Sequence, residues 1–255
     1  MREVPLNIPP FKKLILLKEV SSTMDIAYKL GKLGERYVVI EAEKQSFGRG
    51  KGKRIWFSDH SSLLFSILLR GDLFYKPSLL SILASVIVKR GIVSLSGIPI
   101  KLKWPNDIIF NGKKLGGILG EDWGKFVIIG IGINVNEENF PPWLDMAISL
   151  YQITGREISK DDLLISILKE FSLSFEAFVN GSDILIKEWK KSCNILGERV
   201  KIKQGTSNKE GIIVDIAPDG ALIVEAIDGR RRKIYSTEEL ILEGGENGER
   251  IPKTF

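Results

Sequence analysis

Asn111-Gly112 stands between two apolar runs, Ile100 to Phe110 and Lys113 to Glu121, and no other dipeptide constrains the chain more. Asn-Gly readily adopts the left-handed backbone of a tight hairpin turn, so the flanking runs are expected to pair as antiparallel strands. A third run, Phe126 to Val135, follows closely and carries Gly130 and Gly132 inside it. Glycine inside a strand weakens it and often marks close approach by a ligand or another backbone. These segments predict a sheet with bare backbone at one place.

Around them the pattern alternates between strand and helix. Phe11 to Val20 reads as a strand, and Ser21-Ser22-Thr23 then caps a helix from about Met24 to Leu33. Tyr37 to Glu43 and Ser62 to Leu69 read as strands, and Pro77 to Leu95 as a long helix with proline near its first turn. Lys89-Arg90 interrupts that apolar stretch, so it is expected to be a buried helix and not a membrane span. Ser159, with Asp162 three residues on, opens another helix, and Leu163, Leu164, Ile167, Leu168, Phe171 and Phe178 keep helical spacing. A further helix is expected from Ser182 to Cys193. From Glu198 the chain turns to short strands, broken at Gln204-Gly205, Pro218-Asp219-Gly220 and Asp228-Gly229. The expected class is α+β: a mixed sheet with flanking helices over residues 1–196, then a small SH3-like β-barrel over 197–255.

The chemistry concentrates in residues 45–56, Gln-Ser-Phe-Gly-Arg-Gly-Lys-Gly-Lys-Arg-Ile-Trp. Three glycines let the backbone wrap closely around a ligand. Arg49, Lys51, Lys53 and Arg54 bring cations, and Trp56 offers a flat apolar face. The segment lacks the spacing of a Walker A loop. Taken alone it also fits a solvated basic hairpin or an RGG-like nucleic-acid contact. The net charge of +5 is too mild to decide for nucleic acid. A single cysteine, Cys193, excludes an internal disulfide and a cysteine metal cage. Lys190 and Lys191 beside it on a helix could lower its pKa, yet it reads as incidental. The single histidine, His60, cannot build a histidine metal site, and no G-x-S-x-G motif supports a serine triad. Residues 1–10 lack the apolar core of a secretory signal, so the cytoplasm is the expected location.

Three further segments bear chemistry: Lys103-Trp104-Pro105-Asn106-Asp107, Lys114-Leu115-Gly116-Gly117-Ile118-Leu119 and Gly130-Ile131-Gly132-Ile133-Asn134. Each alone fits a turn, a hairpin tip or a tightly packed strand. Together with the Gly48 to Trp56 loop, in this order and spacing, they resemble the biotin–protein ligases. The resemblance runs from Ser22-Thr23 nearly to the end of the chain. It implies an enzyme that activates biotin with Mg²⁺-ATP to biotinyl-5′-AMP and transfers it to a lysine of a biotin carboxyl carrier protein. It places Ser22, Thr23, Gln45, Gly48, Arg49, Lys114, Gly117 and Gly132 around biotin. Arg49, Lys51, Arg54, Trp56, Asn106, Lys114 and Asn134 are placed around the nucleotide. Lys114, Arg49 and Asp107 are the implied catalytic groups, with Asp107 also the candidate for the metal.

The strand at residue 11 leaves no room for the N-terminal winged helix of some family members, so the ligase-only type without DNA binding is expected, as a homodimer. Lys51 and Lys53-Arg54 depart from the family's loop, which has arginine and then Gly-Arg; lysine keeps the charge but loses the planar fork. Met24 stands where many members have asparagine. A lipoate–protein ligase and, outside enzymes, a basic RNA-binding protein are the competing readings.

Overall fold

The computed structural model describes residues 1–52, 54–74, 76–193, 195–204, 207–235 and 239–242. Lys53 and Gly205 lie outside the described residues. In chain order the first half runs β1 (Arg2–Ile8), β2 (Phe11–Val20), α1 (Thr23–Lys32), β3 (Val38–Gln45), the short pair β4 (Gly48–Arg49) and β5 (Ile55–Trp56), β6 (Leu63–Arg70) and α2 (Leu80–Ser96). Then come β7 (Lys101–Lys103), β8 (Asp107–Phe110), β9 (Lys113–Asp122), β10 (Phe126–Ile133), α3 (Leu150–Thr154), α4 (Lys160–Val179) and α5 (Asp183–Cys193). Strands β11 (Arg199–Gln204), β12 (Ser207–Ile216), β13 (Leu222–Glu225), β14 (Arg231–Ile234) and β15 (Glu239–Leu242) follow.

Among these residues eight strands form one sheet in the order β1-β2-β3-β6-β10-β9-β8-β7. Only β2 and β3 run parallel, and α1 makes the crossover between them. The Asn-Gly turn forms as expected: Asn111 and Gly112 both take positive φ, 47° and 78°, and join β8 to β9. The Ile100 to Phe110 run is not one strand. It breaks at Trp104-Pro105-Asn106 into β7 and β8, which pair with each other, because Pro105 has no N–H to continue a ladder.

Side chains alternate across the strands, so the sheet has two distinct faces. Phe65, Ile67, Leu69, Val127, Ile129, Ile131 and Ile133 point to the side covered by α2 and α4, where the main core lies. Ile40, Leu68, Phe126 and Ile128 point the other way, toward α1 and its Met24 and Ala27. Gly130 and Gly132 continue that second face. There the cover from α1 stops with Met24 against Gly130, and Trp56 of β5 lies over Gly132.

Two elements escape the sequence patterns. β1 occupies residues read above only as lacking a secretory signal, yet Val4, Leu6 and Ile8 alternate with exposed neighbours and pack on the core. α3 is too short for helical periodicity to show, although Ser149 and Gln152 form a reciprocal capping box at its start. Ser159 caps α4 by accepting from the Asp162 N–H. The C-terminal strands form a five-stranded antiparallel sheet, β14-β13-β12-β11-β15, consistent with an SH3-like module. No ladder joins β14 to β15 among the described residues, so the expected barrel is an open sheet there. No helix among the described residues is long and apolar enough to cross a membrane.

Candidate active site

The open end of the α1 face is a cleft. Its floor is Gly117 of β9 beside Gly132 of β10, paired directly across the ladder. A Cβ on Gly132 would lie 2.6 Å from Trp56 Cε2, and one on Gly117 would lie 3.2 Å from Trp56 Cζ3. The indole of Trp56 therefore rests on this bare backbone, which only glycine permits.

One wall is polar. Ser22 caps α1, its hydroxyl accepting from the Met24 N–H at 3.3 Å. The Thr23 N–H and hydroxyl both donate to Gln45 Oε1, at 2.7 and 3.1 Å. Thr23 Oγ1 also shares a 2.8 Å hydrogen bond with the buried Ser66 Oγ of β6. Serine among the aliphatic residues of β6 is explained by that bond.

The opposite wall carries charge. Lys114 and Asp107 form an ion pair, Nζ to Oδ1 2.8 Å, and Lys114 Nζ sits 5.4 Å from the Trp56 ring centroid. Asn106 next to Asp107 is locked to β9. Its carbonyl accepts from the Ile118 N–H at 2.9 Å, and its amide donates back to the Ile118 carbonyl at 2.7 Å. Arg49 leans across the mouth, Nη2 3.1 Å from Glu121 Oε2, with Nε 3.5 Å from Asp25 Oδ1. Lys51 completes the rim with Arg54. Burial, then the neighbouring Arg54 charge, lowers the Lys51 pKa, with Asp107 pulling the other way.

Two buried donors in this cleft have no protein acceptor: Arg49 Nε and Trp56 Nε1. The Asp25 contact to Arg49 thus attracts by charge without the alignment of a hydrogen bond. Such orphan donors are costly unless a ligand or solvent meets them. With Trp56 seated on the glycines the remaining cavity is about 50 Å³, where ligand pockets typically hold at least roughly 300 Å³. The cleft as it stands is too small to enclose a ligand of that size.

Residues 16–136 match the Biotin/lipoate A/B protein ligase family, and residues 195–238 match the Biotin protein ligase C terminal domain. The Bifunctional ligase/repressor BirA of Bacillus subtilis is 35% identical across 88% of this chain and 73% of its own length. The chain belongs to the biotin/lipoate protein ligase family. The Biotin--[acetyl-CoA-carboxylase] ligase of Mycobacterium tuberculosis is 28% identical over 80% of this chain and 78% of its own. Among solved structures, the biotin protein ligase of Aquifex aeolicus in complex with biotin and ATP superposes with a TM-score of 0.78 at 32% identity. It covers 90% of this chain and 97% of that one.

In this ligase-family cleft the structure gathers Ser22, Thr23, Gln45, Arg49, Lys51, Arg54, Trp56, Asn106, Asp107, Lys114, Gly117 and Gly132. Two expected residues do not line the cleft directly. Gly48 is buried beside its wall: a Cβ would lie 2.7 Å from the Trp56 carbonyl oxygen and 3.1 Å from Gln45 Nε2, so glycine lets β4 and β5 close. Asn134, expected around the nucleotide, is buried beside β9. Its amide donates to the Lys114 carbonyl at 3.3 Å and the Ile148 carbonyl at 3.1 Å, so both amide hydrogens are committed. Asn134 braces the backbone of Lys114 instead of offering hydrogens to a base.

Met24 and Gly130, singled out in the sequence but given no place in the site, meet at the back of the cleft: a Cβ on Gly130 would lie 2.5 Å from Met24 Sδ. Pattern reading missed Ser66, Asp25 and Glu121, whose partners lie far away in sequence. Cys193 corrects the pKa argument. Lys190 and Lys191 do not lower it; burial pushes the thiol up to about 12.

Proposed function

We propose that this chain is a biotin–protein ligase, forming biotinyl-5′-AMP from biotin and ATP and passing the biotin to a lysine of a biotin carboxyl carrier protein. The observation that carries the reading is the Lys114–Asp107 pair set over a glycine floor, between a polar corner and a cationic loop. That arrangement suits a ligand with a polar head, a flat apolar body and an anionic tail.

In the first half-reaction the biotin carboxylate attacks the α-phosphate of ATP and pyrophosphate leaves, so two anions meet. Their repulsion falls when cations already stand where the charge will develop. Lys114 is the central cation. Exchanging Asp107 for the incoming anions would place its ammonium between the carboxylate and the α-phosphate. Arg49, now facing Glu121 and Asp25, would swing to the phosphate with its unused Nε–H. Lys51 and Arg54 add charge at the rim, and phosphate beside Lys51 would favour its protonated form. Thr23 and Gln45, already tied to each other, would hold the ureido head. Trp56, lifted from the floor, would cover the body and shield the adenylate from water.

Among the described residues Asp107 is the one carboxylate lining the cleft, and no group of three or more His, Cys, Asp or Glu could cage a metal. That donor set fits Mg²⁺ held mainly by ATP phosphates and water, with Asp107 as its single protein contact. When bound, Mg²⁺ would neutralise phosphate charge. In the second half-reaction Asp107, released from Lys114, would orient the acceptor amine and take up its proton as the amine attacks the biotinyl carbonyl, the new amide forms and AMP leaves. The same reading carries a homodimer and no DNA partner, which sedimentation velocity and promoter footprinting test.

The deciding experiment is biotin-dependent exchange of pyrophosphate into ATP, repeated with lipoate. Exchange that needs biotin and ignores lipoate is expected. Exchange driven by lipoate would move the chain to the sister activity, and exchange with neither would end the ligase reading.

A further inference from the structure

Trp104 joins two parts of the molecule that lie 116 residues apart in the chain. Its indole N–H donates to the Gly220 carbonyl at 2.9 Å, and the side chain is almost wholly buried. Gly220 sits in the turn between β12 and β13 of the C-terminal sheet. Its φ is +84°, and a Cβ there would lie 2.7 Å from Ile82 Cδ1 and 2.9 Å from Leu79 Cδ2. Only glycine lets this turn press onto the start of α2. The turn is itself held firmly. The Gly220 N–H donates to the Ala217 carbonyl at 2.9 Å, and the Asp219 carboxylate receives Lys233 Nζ at 2.9 Å and the Tyr235 hydroxyl at 3.0 Å.

The same indole also meets the ligand loop. Lys51 Nζ lies 5.2 Å from the Trp104 ring centroid, within range of a cation–π contact. Two and three residues on, Asn106 is pinned to Ile118 and Asp107 to Lys114. An apolar residue could fill this space. An indole also spends its single polar atom on the C-terminal sheet and its face on a cation of the ligand loop.

We infer that Trp104 is a positioning residue, through which the C-terminal sheet holds both the Asn106–Asp107 turn and the Lys51 ammonium in place for adenylate formation. The inference rests on the ligase reading above. It makes the C-terminal sheet part of the scaffold of the active site.

The test compares Trp104→Phe, which keeps a ring face but loses the N–H donor, with Trp104→Leu, which loses both. Three readouts are taken: pyrophosphate-exchange kinetics, thermal unfolding, and labelling of Lys51 by trinitrobenzenesulfonate at mildly alkaline pH, quantified by mass spectrometry. In Trp104→Phe, kcat for exchange is expected to fall about ten- to a hundredfold with little change in the KM for biotin, well below the variant's unfolding temperature. Lys51 labelling should stay near wild type in Trp104→Phe and rise about two- to fivefold in Trp104→Leu, the scale of a lost cation–π contact. A wild-type kcat in Trp104→Phe with only a lowered Tm would make Trp104 a packing residue and overturn the inference. Unchanged labelling in Trp104→Leu would remove the link to Lys51. If the wild-type chain catalysed no biotin-dependent exchange, the ligase reading would fall, while the labelling would still decide whether Trp104 holds Lys51.

Discussion

Replacing Lys114 by alanine separates catalysis from stability, because the same ammonium serves both. At 2.8 Å from Asp107, and with an effective dielectric constant of about 20, the Coulomb attraction is about 6 kcal/mol before desolvation is counted. Lys114 is about a quarter exposed and Asp107 about an eighth, so much of that attraction offsets the loss of hydration. We expect Lys114→Ala to cost about 1–2 kcal/mol of folding stability, mostly from leaving Asp107 uncompensated. Adding Asp107→Asn should restore most of that loss. Activity should behave differently. Lys114→Ala is expected to slow adenylate formation by about two to three orders of magnitude, the scale for one preorganised charge-stabilising group, and Asp107→Asn should not rescue it. Urea unfolding gives the stability cycle, and single-turnover formation of biotinyl-AMP gives the chemical one. Near-normal adenylation in Lys114→Ala, or recovery of adenylation in the double variant, would refute the assignment of Lys114 to the developing charge.

Three further outcomes are expected. Gly132→Ala puts a methyl on the floor that biotin would occupy once Trp56, 2.6 Å away in the unliganded cleft, has lifted, and the lost space should weaken biotin binding by about tenfold or more in calorimetric titration; an unchanged Kd would mean that biotin does not use this floor. Glu41 is pushed up to about 7, first by burial and then by Asp161. The folded chain therefore holds a proton that the unfolded chain has lost between about pH 5 and 7, so stability declines as pH rises through that window, by about 1–3 kcal/mol. Glu41→Gln should flatten the slope in unfolding curves across that range, and an unaltered slope would place its cause elsewhere. Transfer to an acidic carrier domain should weaken with salt more than adenylation does, since exposed charges are screened beyond about 10 Å at 0.1 M; equal salt sensitivity of the two half-reactions would count against electrostatic docking.

The order of elements was legible from residue patterns, and much of the cleft was an expectation from the resemblance that four motifs carry together. Asn111-Gly112 marks its turn because few residues tolerate two successive left-handed positions. Ser22 marks the start of α1 because a hydroxyl there meets an N–H that the helix cannot. Gly117 and Gly132 mark bare backbone because any side chain would have filled the seat of Trp56. These are local demands, and a local sequence can state them. Other facts depend on which strand lies beside which. Asn134 looked like a ligand contact until β9 and the Ile148 segment took its amide hydrogens. Asp25 and Glu121 are ordinary surface carboxylates in the sequence and become partners of Arg49 only when the loop folds across β9. Trp104 meets Gly220 only because the C-terminal sheet closes onto α2. Residues that answer to their own backbone can be read in advance. Residues whose partners are brought by the sheet order cannot, since hydrogen bonds and charges act over a few ångströms and the chain alone does not say which groups will come that near.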